Sequence, residues 1–208
     1  NLIVDKVETI KAPLSGDYAY YVLVETMGGD PARDQDRFED ILGEALEAGL
    51  IEDAVISKSQ GEIDDLWQVR DGMAEAMATQ QPASGFDVSL LIGDMEYFCA
   101  EVDRRLKAAW PEASVYVGGH LGDGNLHLVA KAENVDPQPK DAIDTIVYDL
   151  VGELGGSVSA EHGIGMAKKA YLSKSRSPAE LALMHPLKQA MVPKGLLNRG
   201  RVFEMTPS

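Results

Sequence analysis

The feature that most constrains this 208-residue chain is a glycine-rich segment over residues 118–127, in which His120 and His127 flank a tight turn. Alternating Val, Tyr and Leu side chains predict one strand over 114–118 and a second over 125–131. The glycines between them are typical of a turn rather than of a continued strand. The pattern therefore predicts a β-hairpin that carries both histidines near its mouth.

The residues of the predicted turn suit a tight fold. Gly122 and Gly124 allow positive φ and a close approach of the backbone. Asp123 and Asn125 have side chains that can bond the amides of the turn itself. We expect the turn to be short and fixed.

A second glycine-flanked segment carries a carboxylate and another imidazole. Glu161 and His162 follow a short predicted strand over 157–159, which begins after the break at Gly155 and Gly156. If this strand lies beside the hairpin, Glu161 and His162 would lie close to the turn that His120 and His127 flank.

Two neutral imidazoles and one carboxylate suit zinc or a similar first-row divalent metal, and three protein ligands leave a position open for water or substrate. His120, His127 and Glu161 are the candidate ligands. Their spacing is not one of the standard zinc patterns. The alternative on spacing alone is a pair of histidines satisfied by local hydrogen bonds, with Glu161 a solvated charge.

Hydrophobic periodicity predicts an α+β fold: a largely antiparallel sheet with helices packed on one face, in ferredoxin-like elements, over a single domain spanning residues 1–208. The predicted helices cover 31–49, 61–79, 94 to 111, 136 to 156, and 178–191. The predicted strands cover 18–27, 52–58, 86–92, 114–118, 125–131 and 157–159.

Charge and composition exclude several classes of function. A net charge of −15 argues against binding to nucleic acid or to an anionic membrane surface. No apolar run approaches the roughly 18 residues needed to cross a bilayer, and the single cysteine, Cys99, fits a reducing compartment. We therefore expect a cytoplasmic protein. Residues 163–208 carry eight basic and two acidic residues, and this basic tail could face an anionic cofactor.

Four motifs resemble those of one known family. Residues 120–127 resemble the glycine-rich, two-histidine signature of the C-terminal domain of FAD-linked oxidases, the family that includes D-lactate dehydrogenase and D-2-hydroxyglutarate dehydrogenase. Residues 159–165 resemble its second signature, in which Glu-His-Gly-Ile-Gly follows a serine and one variable residue. Residues 66–70 resemble its tryptophan-to-arginine helix, and residues 195–201 resemble its closing motif. The four occur in the family's order along the chain.

The resemblance implies a role for each matching residue. It implies that His120, His127 and Glu161 hold a divalent metal, with zinc the leading candidate, and that His162 is the acid–base group. Arg70 would then bind the substrate carboxylate, and Asn198 would lie on the flavin side. On sequence alone, Arg70 could equally pair with a neighbouring acid, Asn198 could cap a turn, and His162 could be a buried histidine with satisfied nitrogens.

The implied activity is a flavin-dependent oxidation of a D-2-hydroxy acid of the lactate, glycolate or 2-hydroxyglutarate type. The chain has no glycine-rich nucleotide cradle of its own. The resemblance implies that FAD is held mainly by an N-terminal FAD-binding domain of a longer flavoprotein. A homodimer is the candidate assembly, and the electron acceptor is not predicted.

Four positions depart from the family pattern. Gly85, Ala74 and Val129 stand where D-2-hydroxyglutarate dehydrogenases resemble one another in a lysine, a threonine and an asparagine. Each departure removes a polar contact, which favours a smaller acid such as lactate or glycolate. Arg199 replaces the proline of the closing motif.

Two other classes of function remain open at this point. One is a metal-dependent hydrolase, in which the open metal position activates water and His162 is the base. The other is a non-catalytic interaction domain that has the fold and has lost the activity.

Overall fold

The computed structural model describes residues 2–7 and 9–204, and the chain divides into two compact units, Asn1–Thr79 and Gln80–Ser208. Helices and one antiparallel sheet together confirm the α+β class. That residues 1–208 form a single domain stays a prediction, because compactness alone does not define a folding unit.

The described residues of the first unit form three helices, which are α1 (Leu2–Lys6), α2 (Pro31–Glu47) and α3 (Gln60–Ala78). The Asp30 side chain caps α2 by accepting from the Arg33 amide, and the Ser59 hydroxyl caps α3 by accepting from the Glu62 amide. Such caps satisfy amides that lack a partner in the first helical turn. Helices α2 and α3 confirm the two helices predicted here. The buried residues that join α1 and its following loop to α3 are Val7, Ile10 and Ala76.

The two strands predicted in the first unit are wrong. Residues 18–27 and 52–58 are irregular, and Tyr20 and Val22 are 66% and 62% exposed. A side-chain hydrogen bond from Tyr18 to Asp53 joins the two segments, at 2.9 Å. Strand propensity depends on a partner strand and on an apolar surface to cover, and no ladder or buried cluster in the described ranges includes these segments.

The second unit is built on a three-stranded antiparallel sheet with the order β1-β3-β2. Its strands are β1 (Ser84–Ser89), β2 (Ser114–His120) and β3 (Asn125–Lys131). Its helices are α4 (Met95–Ala109), α5 (Lys140–Glu153) and α6 (Pro178–Met191). The hairpin of β2 and β3 and all three helices confirm the sequence prediction, with shifts of a few residues at some ends.

One face of the sheet packs against α4 and α5. Because strand side chains alternate between faces, Phe86, Val88 and Leu128 point to the helices while Asp87 and His127 point away. The helices contribute buried side chains at helical spacing, which are Phe98, Val102, Leu106, Ile143, Val147 and Val151. This core leaves the opposite face of the sheet available for polar residues. Among the described helices, each is too short or too polar to span a bilayer.

Two predicted boundaries in this unit need correction. The strand predicted to reach Ile92 ends at Ser89, because a 3₁₀ turn over Ile92–Asp94 leads into α4 and Asp94 makes no side-chain cap. The strand predicted over 157–159 is reduced to one antiparallel bridge between Ser157 and Ser89. That bridge nevertheless places the segment before Glu161 beside β1, in the same sheet as the hairpin. The sequence pattern predicts that this segment lies beside the hairpin.

Candidate metal centre

The structure brings His120, His127 and Glu161 together. One ligand atom from each lies within 4.8 Å of the others. His120 Nε2 is 3.5 Å from Glu161 Oε1, and the two imidazole rings stand edge to face with centroids 5.5 Å apart. Ligand atoms in a tetrahedral zinc site lie about 3.4 Å apart, given metal–ligand bonds of about 2.1 Å. Small rotations of these side chains therefore suffice to hold one cation.

The register of the sheet explains why the candidate ligands His120 and His127 converge. His127 of β3 lies opposite both Asp87 of β1 and Gly118 of β2, and Asn125 lies opposite His120. Residues directly opposite in an antiparallel pair share a face. His120 and His127 therefore occupy adjacent rows on the sheet face opposite the one that packs against α4 and α5.

The turn between the two histidines depends on glycine at one position. Gly124 has a φ of 75°, and a Cβ there would lie 2.3 Å from the carbonyl oxygen of Leu90. The amide of Leu90 donates to the carbonyl of Gly124 at 2.9 Å, so this close approach ties the turn to the end of β1. Asp123 accepts from the Asn125 amide at 3.1 Å, as predicted. Gly122, by contrast, does not use positive φ.

The surroundings of His127 favour the neutral form of its imidazole. Its partial burial holds the pKa of the imidazole below its ordinary value, although the neighbouring carboxylates of Glu161 and Asp87 act in the opposite direction. A neutral imidazole is the metal-binding form. His127 is therefore available to a cation at neutral pH without first losing a proton.

His162 lies beside the three candidate ligands. Its ring stacks on that of His127, with centroids 5.9 Å apart and an interplanar angle of 19°. Its side chain is 66% exposed, so the alternative of a buried histidine is wrong. His162 Nδ1 lies 3.4 Å from Asp87 Oδ2, which leaves Nε2 as the nitrogen available to a ligand.

The other two predicted site residues, Arg70 and Asn198, each have local contacts of their own. Arg70 belongs to the first unit, on α3, where its guanidinium lies 3.7 Å from Asp71. Asn198 follows α6 with a φ of 50°, and its carbonyl accepts from the Arg201 amide at 3.1 Å, as a turn residue would. Their roles toward substrate and flavin stay predictions.

Asp87 is the principal site residue that the sequence prediction missed. It is 2% exposed, in the middle of β1, and its carboxylate accepts from the amides of Glu161 and His162. Burial raises the pKa of this carboxyl, but the His162 amide, the Lys168 ammonium and the Glu161 amide together lower it to about 2. The sequence did contain one indication of this role. Asp87 is an acidic residue inside a predicted strand, and it alternates with the apolar residues Phe86 and Val88.

Asn125 and Lys168 were also missed as site residues. The buried Asn125 donates its side-chain amide to the Glu161 carboxylate, rather than bonding the turn. Lys168, which is 12% exposed, donates to the carboxylate of Asp87 at 3.2 Å and to the hydroxyl of Ser159 at 2.9 Å. Only the tertiary contact with β1 distinguishes Lys168 from the other lysines of the basic tail.

Comparison with known proteins shows the family to which the chain belongs. The model of the family "FAD linked oxidases, C-terminal domain" matches residues 2–202. The chain belongs to this family, which confirms the resemblance of its four motifs.

Three relatives with assigned names support the match. A D-2-hydroxyglutarate dehydrogenase of Xanthomonas citri pv. viticola is 37% identical over 93% of this chain and 42% of its own length. The mitochondrial D-2-hydroxyglutarate dehydrogenase of Arabidopsis thaliana is 33% identical over 98% of this chain and 36% of its own length. A putative mitochondrial D-lactate dehydrogenase of Schizosaccharomyces pombe is 32% identical over 94% of this chain and 39% of its own length.

The chain thus spans about two fifths of the length of the curated relatives it matches. Two of these three relatives are named as mitochondrial and one is bacterial. The cytoplasmic location expected from the sequence therefore stays a prediction.

Proposed function

We propose that this chain is the substrate- and metal-binding domain of a flavin-dependent dehydrogenase that oxidises a D-2-hydroxy acid to the 2-oxo acid. The observation that carries the proposal is the cluster of His120, His127 and Glu161, with His162 stacked beside it. Family membership and the names of the relatives support the same chemistry. FAD would be held mainly by an N-terminal FAD-binding domain.

The donor set fits a divalent cation. Two imidazoles and a carboxylate on an exposed rim match zinc ligation with an open position. When bound, such a cation lowers the pKa of a coordinated hydroxyl, as it lowers that of water from about 15.7 to about 7. His120, His127 and Glu161 would hold it. Asn125 would keep the Glu161 carboxylate turned toward the histidines.

His162 is the group that takes the proton. A neutral imidazole is a suitable base near pH 7, and its Nε2 faces away from Asp87. In the overall reaction the 2-hydroxyl loses its proton to His162, and C2 loses a hydride. Bound FAD supplies the acceptor for that hydride. Arg70, by its match to the family motif, would bind the substrate carboxylate with a planar pair of donors.

A small substrate is favoured by the row of residues next to His127. On the face of the sheet that carries the histidines, Gly85 of β1 lies opposite Val129 of β3, which lies opposite Tyr116 of β2. This row carries no charged side chain. A second substrate carboxylate would find no cation there, so we propose lactate or glycolate ahead of 2-hydroxyglutarate.

The proposal is tested by turnover in a protein that joins this chain to its FAD-binding domain. With flavin and zinc loaded, we expect D-lactate or glycolate to reduce an artificial acceptor. His162→Gln should lower kcat by about 10²- to 10⁴-fold, the usual contribution of a general base. Absence of turnover with any D-2-hydroxy acid would contradict the proposal, and ester hydrolysis by this chain alone would favour a hydrolase.

A further inference from the structure

We propose that Asp87 is a positioning residue for the metal centre, and that Lys168 is its buried counter-ion. The Asp87 carboxylate fixes the backbone of Glu161 and His162, so that one ligand and the base are presented to the same cation. This inference rests on the proposed function and deepens it, by assigning residues that support the ligands without touching the substrate.

Asp87 holds residues 159–162 through both its side chain and its main chain. Its Oδ2 accepts from the His162 amide at 2.9 Å, and both of its carboxylate oxygens lie 3.2 Å from the Glu161 amide. The Ser159 hydroxyl donates to the same carboxylate at 3.2 Å, and the Ala160 amide donates to the main-chain carbonyl of Asp87 at 3.2 Å. Hydrogen bonds to an ionised acceptor are stronger than neutral ones. One buried side chain thus fixes a segment that has only one β-bridge to the sheet.

The same carboxylate faces both imidazoles. Its Oδ1 lies 4.0 Å from His127 Nδ1, and its Oδ2 lies 3.4 Å from His162 Nδ1. Each ring therefore turns Nδ1 toward the buried acid and leaves Nε2 for a ligand. A carboxylate behind a histidine is a common way of orienting metal ligands, and its loss typically lowers metal affinity about 10- to 100-fold.

The Asp87 carboxylate is buried as one half of an ion pair with Lys168. Asp87 is 2% exposed and Lys168 is 12% exposed, so both charges are largely withdrawn from water. Lys168 also donates to the main-chain carbonyl of Asp87 at 3.2 Å and to Ser159 at 2.9 Å. Replacing a buried ion pair with apolar groups is often neutral for stability, whereas removing one partner is strongly destabilising. An apolar pair at these two positions would give similar stability, so stability alone does not explain why Asp87 and Lys168 are present.

Three variants of the full 208-residue chain separate positioning from stability: Asp87→Asn, Lys168→Met and the double variant. The measurements are hydrogen exchange of the amides over residues 157–165, zinc affinity by competition with a chelator, and thermal midpoint. Asp144→Asn is the matched control, because Asp144 is also buried and lysine-paired, to Lys140 on α5.

We expect Asp87→Asn to speed exchange of the Glu161 and His162 amides by about tenfold or more, and to weaken zinc binding by about 10- to 100-fold. The double variant should recover part of the thermal midpoint lost in Lys168→Met, because no buried charge is left unpaired. It should recover neither the amide protection nor the zinc affinity. Asp144→Asn should leave the amide protection of residues 157–165 and the zinc affinity at their wild-type values.

The inference is overturned if Asp87→Asn or the double variant keeps the exchange rates of both amides within about twofold of the wild type. It is also overturned if the double variant regains stability and zinc affinity together. Zinc binding that is equally weak in the wild type and in His120→Ala would contradict the proposed metal function instead. Amide exchange then still decides the role of Asp87, because it requires no metal.

Discussion

His120 Nε2 and Glu161 Oε1 lie 3.5 Å apart, although His120 ends β2 and Glu161 follows the β-bridge beyond α5. Two segments far apart in the chain therefore meet at one point on the sheet. Because His120 is 41% exposed at its side chain and Glu161 is 47% exposed, the point is open to solvent and to a ligand.

Removing His120 should strongly weaken metal binding at this point. Two remaining ligands hold zinc far less tightly than three, so His120→Ala should lower zinc affinity by more than about 100-fold. His185→Ala is the matched control, since His185 packs against Phe203 at 4.1 Å between ring centroids. Metal content by elemental analysis and affinity by chelator competition measure the effect. Equal affinity in the two variants would place the metal elsewhere.

A side chain at Gly124 should disturb the hairpin turn. Gly124→Ala would place a Cβ 2.3 Å from the Leu90 carbonyl at a φ of 75°, whereas Gly122→Ala meets nothing within 4 Å. We expect Gly124→Ala to lower the free energy of unfolding by more than about 1 kcal/mol, and to weaken zinc binding as well. Gly122→Ala should change neither by much. Urea unfolding at neutral pH measures the difference, and similar stabilities for the two variants would contradict the role given to Gly124.

A cation placed at Gly85 should change the substrate preference. Gly85 has open space where its Cβ would be, and it lies opposite Val129 in the row next to His127. In the joined flavoprotein, Gly85→Lys should raise kcat/KM for D-2-hydroxyglutarate relative to D-lactate by about tenfold or more, through one new charged pair. Gly85→Ala is the control for added volume. A ratio that does not change in Gly85→Lys would show that this row does not face the substrate.

Acid should weaken the ion pairs that Glu101 makes with Arg104 and Arg105 on α4. Hydrogen bonds from Arg104 and Arg105 lower the pKa of Glu101 from 4.5 to about 2, and Arg105 also pairs with Glu153 of α5. Because the folded pKa is the lower one, this carboxylate stabilises the fold above about pH 4.5, and the contribution is lost as the pH falls toward 2. Glu101→Gln should therefore be less stable than the wild type at pH 7.

The stability difference between Glu101→Gln and the wild type should shrink between pH 4.5 and pH 2. Urea unfolding of both proteins across this range measures it. Asp103→Asn, which removes an exposed pair with Lys107 on the same helix, should show a much smaller difference at every pH. A constant difference for Glu101→Gln from pH 7 to pH 2 would contradict the assigned pKa.

The parts of the fold that were predictable are those whose signals are local. The hairpin follows from alternation on either side of Gly124, and the structure adds that Ser177 and Glu180 form a capping box at the start of α6. Helix α5 follows from a stripe of apolar side chains at helical spacing. Each of these patterns lies within one element, so the sequence alone displays it.

The strands predicted over 18–27 and 52–58 fail for the opposite reason. Tyr and Val favour a strand only where a neighbour supplies hydrogen bonds and an apolar face, and that condition is set by tertiary structure. For the same reason, the sequence did not reveal that Asp87 and Lys168 belong to the site. An acid in a strand and a lysine in a basic tail become one buried pair only after residues 157–160 come to lie against β1.

The sequence by itself determined the identity of the candidate ligands, because His120, His127 and Glu161 stand in glycine-flanked motifs that can be read locally. Only the tertiary structure decided how they are held. Antiparallel register places His127 opposite Asp87, and the loop after the β-bridge places Glu161 and His162 on the amide-binding side of that carboxylate. Register and the pairing of distant segments depend on packing against α4 and α5, which no local pattern of residues specifies.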